Sequence, residues 1–264
     1  MIFLLSYLLV GAFAGILAGL LGVGGGIIIV PLLTFLFAAE HLPADYILHL
    51  ALGTSLASIM FTSISSLKAH HTKGAVNWPV VRRISGGILV GTFCGTWLAA
   101  QLSTHFLRIF FVVFLYYVSA QMFFSIKPQA SRPLPGPGGM FAAGGLIGAV
   151  SSLVGIGGGS MSVPFLIWCN FSMHNAIGTS AAIGFPIALA GAAGYIINGL
   201  PVTGLPPHTL GFVYLPALAC ISLASVLTAP FGAKLAHSLP VVRLKRIFAV
   251  LLIVMGTKML AGLF

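Results

Sequence analysis

The sequence predicts an all-α polytopic membrane protein built from two inverted-topology repeats of about five helical pieces each. Three observations point there: an apolar composition, a chain that aligns with itself, and basic residues that shift by one loop between the halves. In each repeat a glycine-rich motif is expected to break the first two pieces, leaving short spans or a re-entrant hairpin.

Hydrophobic residues make up 59% of the 264 and charged residues 5%, with a mean hydropathy of +1.12. A soluble surface needs roughly a quarter charged residues, so the partner of this surface is the lipid bilayer. Long apolar runs between short polar loops suit helices rather than barrel strands, which alternate over about ten residues. The net charge of +10 does not indicate nucleic acid, because the basic residues sit at the ends of apolar runs. AFA at 12 to 14 imitates a signal-peptide cleavage site, but no Lys or Arg precedes the run and the segment recurs later. Cys94, Cys169 and Cys220 show no CxxC spacing and read as buried free thiols.

At an offset of 133, positions 11 to 33 give ten identities, including the glycines of GVGGGIIIVP (22 to 31) and GIGGGSMSVP (155 to 164). At 125, HLALGTSLA (49 to 57) meets HNAIGTSAA (174 to 182), so the first half carries eight extra residues, expected in the loop around Glu40 to Asp45. At 137, Gly95, Leu98, Ala99, Leu102 and Leu107 meet Gly232, Leu235, Ala236, Leu239 and Leu244. The 264 residues therefore read as one transmembrane transport domain, with repeat 1 at 1–126, a Pro- and Gly-rich cytoplasmic linker at 127–138, and repeat 2 at 139–264.

The pieces follow in order as 2–20, 24–38, 46–66, 80–100 and 106–126, then 139–154, 157–170, 176–197, 210–231 and 245–263. Lys68, Lys73, Arg82 and Arg83 lie between pieces three and four of the first half, whereas 198–209 has no Lys or Arg. Lys234, Arg243, Lys245 and Arg246 precede piece five of the second half, where the first half has only Arg108 at its edge. Placing 67–83, 127–138 and 232–246 in the cytoplasm satisfies the positive-inside rule. Each half then crosses an odd number of times, and both termini are extracytoplasmic. Inverted repeats of this kind mark secondary transporters.

Glycine costs about 1 kcal/mol and proline about 3 inside a helix, so GxGGGxxxxP should interrupt one, with Pro31 and Pro164 as helix-break prolines. Broken backbone is tolerated in a bilayer only where protein or a water-filled cavity surrounds it, and two such breaks should meet near the midplane. A restarted helix offers free N–H groups and a positive dipole end to an anion. The expected substrate-binding residues are Gly22, Gly24, Gly25 and Gly26, Gly155, Gly157, Gly158 and Gly159, and Ser160 and Ser162. Thr54, Ser55, Thr179 and Ser180 of the GTS blocks join them, with Ser151 and Ser152 beside the second motif. The bland alternative is that the glycines serve close packing and each hydroxyl bonds its own helix.

His49 and His174 stand four residues before each GTS, either as a proton relay or as interfacial residues bonded to a loop. No histidine spacing suggests a metal, and no cofactor is implied. Glu40 and Asp45, the only carboxylates, fall in a loop, which argues against cation transport and suits an anion.

The chain resembles the TauE/SafE sulfite exporter family, the TSUP permeases, in GLLGVGGGIIIVPLL (19 to 33), SSLVGIGGGSMSVPFL (151 to 166), both GTS blocks and KAHHTKGAVNW (68 to 78). The resemblance implies a multi-pass permease of a bacterial or archaeal inner membrane, moving sulfite, an organosulfonate or a related small sulfur-containing oxyanion. The expected function is alternating access around a midplane site made by the two glycine breaks. A transporter of a different small anion and an intramembrane Ser/His hydrolase using Ser160 with His174 are the alternatives. The sequence is equally compatible with import or export, with proton or sodium coupling or uniport, and with a monomer or a homo-oligomer.

Overall fold

The computed structural model describes residues 2–21, 25–124, 132–235 and 241–262. Ten helices occur among them: α1 (Ile2–Leu21), α2 (Gly26–Ala39), α3 (Ile47–His71), α4 (Trp78–Gln101), α5 (Thr104–Phe123), α6 (Pro137–Val154), α7 (Gly159–Trp168), α8 (Met173–Gly199), α9 (Leu215–Leu235) and α10 (Val241–Ala261). Six of them, α1, α3, α5, α6, α8 and α9, are long and apolar enough to cross a membrane. α4 and α10 match them in length, with 24 and 21 residues, but carry basic residues near their starts.

Several starts are fixed by local chemistry. Asn77 accepts the Val80 N–H at the head of α4, while Ser103 and Ser172 accept those of Phe106 and Asn175 for α5 and α8. Pro137 opens α6 at a position where its missing N–H costs nothing.

Several expectations require correction. Pro31 and Pro164 lie inside α2 and α7 and do not break them; the interruptions are at the glycines alone. Each proline instead deprives one carbonyl of its helical donor, at Ile27 and Ser160. The eight extra residues of the first half are not confined to the loop, since α2 has 14 residues against 10 in α7. Finally, α3 runs on to His71, so Lys68, His70 and His71 are helical, and piece nine begins with a two-stranded hairpin, β1 (Thr209–Leu210) and β2 (Val213–Tyr214), before α9. Of the cysteines, only Cys169 is buried and Cys94 is exposed.

At 1.5 Å per residue α2 and α7 reach about 21 and 15 Å, short of a hydrocarbon core of about 30 Å. The remaining helices pack in a pattern that maps onto itself when the halves are exchanged. α1 lies on α9 as α6 lies on α4, and α3 on α9 as α8 on α4, while α3 meets α8 and α5 meets α10. The two self-paired contacts are antiparallel: Gly53 faces Tyr195, Leu56 faces Gly191 and Ser63 faces Gly184. Likewise Arg108 donates to the Gly262 carbonyl and Tyr116 bonds Thr257.

Without a hydrophobic drive between helices in lipid, close packing of small residues holds such pairs. Gly87, Gly91 and Gly95 of α4 press on the backbone of α6 at Phe141, Gly145 and Ala149, and Gly11 and Gly15 of α1 press on Ile221 and Ser225 of α9. Large apolar side chains such as Leu9, Trp97, Val113 and Leu223 point outward, where lipid replaces water.

A Cβ at Gly91 would lie 2.6 Å from the Gly145 Cα, whereas one at Gly86 meets nothing nearer than Phe141 at 3.8 Å. Gly91→Ala should therefore destabilise the protein by about 1–3 kcal/mol, and Gly86→Ala should be neutral or stabilising, as read by thermal unfolding in detergent.

Candidate functional site

The two glycine motifs meet in the middle of the bundle. Gly25 (φ 75°) precedes α2 and its counterpart Gly158 (φ 76°) precedes α7, both left-handed, and Gly155 (φ 66°) closes α6. Side chains are strained in this conformation, and so these positions take glycine. Gly26 serves a different need: a Cβ there would collide with the Gly155 carbonyl and lie 3.1 Å from the Ile156 Cα. The backbones of the two halves therefore touch at their breaks. Gly22 and Gly24 lie outside the described residues.

α2 starts at this contact and α7 starts four residues beyond Gly155, each presenting the positive end of its dipole just after its glycines. Neither start has a side-chain cap, and thus no side chain occupies its first-turn N–H groups.

The GTS blocks form a matched pair of clasps. The Tyr214 N–H donates to Thr54 Oγ1 at 2.9 Å, and the Asn77 N–H donates to Thr179 Oγ1 at 3.0 Å. Asn77 and Tyr214 are counterparts at the offset of 137, so each threonine grips the segment leading into the fourth helix of the other half. The adjacent glycines make room: a Cβ at Gly53 would strike the Phe212 carbonyl, and one at Gly178 would lie 2.6 Å from the Ala75 carbonyl. Ser55 Oγ donates across the halves to the Gly155 carbonyl at 2.8 Å, tying the second break to α3. Thr54, Ser55 and Thr179 are thus engaged with backbone. Ser180 instead bonds Ser162 at 2.7 Å, and Ser162 also reaches the Gly158 carbonyl.

Ser160, at the start of α7, is 8% exposed and forms no hydrogen bond among the described residues. Ser151 Oγ is buried without a partner, while Ser152 bonds the Ala149 carbonyl of its own helix. The histidines have dissimilar places. His49 is buried, with Nε2 3.0 Å from the Ala99 carbonyl and its ring 5.1 Å from that of Phe212; His174 is exposed at the head of α8.

Beside the second break is a constricted cavity of about 10 Å³, bounded by Ala18, by Thr62, Ser63 and Ser66 of α3, by Gly157, and by Ser180. That is about the room of one water molecule, so its walls must part to admit an oxyanion. Its polar groups are hydroxyls and backbone, with no charged side chain among its lining residues. Of the residues expected from sequence, Gly157 and Ser180 line it. Thr62, Ser63 and Ser66 are additional; their signal was hydroxyls recurring at helical spacing in SIMFTSISS (58 to 66).

A family model described as sulfite exporter TauE/SafE matches residues 7–259. A probable membrane transporter protein of Haemophilus influenzae is 38% identical over 97% of this chain and 98% of its own length. One from Bacillus subtilis is 29% identical over 88% of this chain and 89% of its own length. A third, from Methanocaldococcus jannaschii, is 26% identical over 96% of this chain and 94% of its own length. No solved structure matches the chain.

Both clasp threonines are fully buried. Thr54→Val or Thr179→Val leaves a backbone N–H without its acceptor and should cost about 1–3 kcal/mol each, with Thr→Ser largely neutral. Thermal unfolding, with hydrogen exchange at the Tyr214 and Asn77 amides, measures this.

Proposed function

Since the chain belongs to the TauE/SafE sulfite exporter family, we propose that it is a secondary membrane transporter of a small sulfur-containing oxyanion such as sulfite or an organosulfonate. The observation that carries this reading is the contact of the two glycine breaks at Gly26 and Gly155, each followed by an uncapped helix start, with an uncharged, hydroxyl-bearing cavity bordered by Gly157 of the second break. Oriented N–H groups and hydroxyls are donors without competing acceptor charge, and they suit an anion's oxygens. Stripping a small anion of water needs several such donors at once, which a single helix end would not supply.

The same reading takes the halves as inverted in the membrane. Equivalent helices that run antiparallel, α3 with α8 and α5 with α10, support it, as does the exchange of packing partners between halves. The linker residue Arg132 stacks on Trp168 and accepts from Asn170 through its carbonyl, which puts the α5–α6 and α7–α8 connections at one end of the bundle. On the positive-inside rule that end is cytoplasmic, because α3 also ends there with Lys68. Both termini then lie outside a bacterial or archaeal inner membrane. Alternating access would rock the halves about the central contact, exchanging which end of the bundle reaches the cavity.

Uptake of labelled sulfite by liposomes carrying the purified protein tests the proposal. Gly25→Val and Gly158→Val place side chains at left-handed positions and should lower flux at least about tenfold, an activation cost near 1.4 kcal/mol or more. Each variant is first checked by thermal unfolding. Wild-type flux in a folded double variant would reject the site.

A further inference from the structure

From the cavity, one face of α3 carries a row of buried polar residues toward the basic end of the bundle. Thr62, Ser66 and His70 recur every four residues on one face and are 1%, 4% and 7% exposed. Thr62 and Ser66 border the cavity, and Thr62 shares a hydrogen bond of 2.7 Å with Ser225 of α9. Ser66 Oγ is different: it is buried and has no hydrogen-bond partner. Leaving a buried hydroxyl unmatched costs about 1–3 kcal/mol, so a group held in this state at a cavity wall is poised for a ligand.

The equivalent face of α8 offers nothing comparable. At the offset of 125 the counterparts of Thr62, Ser66 and His70 are Ile187, Gly191 and Tyr195. Ile187 and Tyr195 are fully buried, Tyr195 donates to the Ser152 carbonyl at 3.0 Å, and Leu56 packs over Gly191. Beyond them Phe212 packs edge-on to Tyr195 and sits against His49 and Tyr46, and Tyr7, Phe37 and Tyr214 form a second aromatic cluster at that end. At the offset of 137 the counterparts of Phe212 and Tyr214 are Ala75 and Asn77. Pseudo-equivalent positions thus carry bulky aromatics at one end and small or polar residues at the other.

The geometry points to the α3 hydroxyl face as the anion's path between the cavity and the basic end of the bundle, with Thr62 and Ser66 as substrate-contact residues and the aromatic end closed in this structure. This rests on the transporter reading above and adds to it the route and the residues. Passing from Ser180 and Gly157 to Ser66, a small oxyanion exchanges one neutral donor for the next and meets the basic residues Lys68 and Lys73 only at the exit.

Methanesulfonate serves as the probe. Ser66→Ala removes a hydroxyl with no partner in the protein, so thermal stability should hold while methanesulfonate affinity falls about fivefold. Ser58→Ala, whose hydroxyl bonds the Thr54 carbonyl of its own helix, should leave that affinity unchanged. In a variant lacking the native cysteines, Ser66→Cys should react with a membrane-impermeant anionic thiosulfonate from the basic side only, and methanesulfonate should slow the reaction. Unaltered affinity in Ser66→Ala, or labelling of Ser66→Cys from the opposite side or equally from both, would overturn the path. If the wild type binds no sulfur oxyanion but labelling keeps this sidedness, the path stands and the substrate reading falls.

Discussion

Inside a bilayer every backbone polar group must find a partner within the protein, and this constraint governs the structure. Two helices are broken at glycines near the middle of the bundle, and each break would be prohibitively costly facing lipid. The solution is reciprocal: the breaks touch each other through Gly26 and Gly155, and Ser55 of one half satisfies the Gly155 carbonyl of the other. The two threonine clasps extend the same device to the segments entering α4 and α9. Of the buried hydroxyls left without a partner among the described residues, Ser66 is the one at the cavity wall, where a ligand can compensate.

Reciprocity also explains why an antiparallel pair lies at the centre. When α3 and α8 face each other in opposite directions, a cavity at the end of one is matched by an occluded space at the end of the other. On the alternating-access proposal, exchanging the two arrangements would require contacts such as Leu56 with Gly191 to slide, without either helix refolding. In that proposal the asymmetry of residues along the two faces would give the arrangements different energies, and ligand binding could shift the balance only by its differential affinity for them.

Much of this was legible in the sequence because duplication is a pattern of identities, independent of environment. The succession of ten helical pieces follows from it. Proline was misread because its helix penalty is derived for exposed interiors; in α2 and α7 the surrounding protein tolerates the lost hydrogen bond. The GTS hydroxyls were assigned to substrate because their residue type indicates a donor or acceptor, not its partner. Only the fold reveals that Thr54 and Thr179 reach backbone 160 and 102 residues away. Ser66 was overlooked for the converse reason: a serine in an apolar helix ordinarily bonds its own backbone, and the missing partner is visible only in three dimensions.

The pairing of α1 with α9 has a consequence for how the protein is made. α1 finds its extensive partner only after about two hundred further residues have been synthesised, while α6 finds α4 already waiting. Until then the glycine face of α1, at Gly11 and Gly15, stands open to lipid or to other proteins. Neither half, expressed alone, can bury the surfaces that its own first and fourth helices present. A chain cut short before α9 is therefore left without that interface.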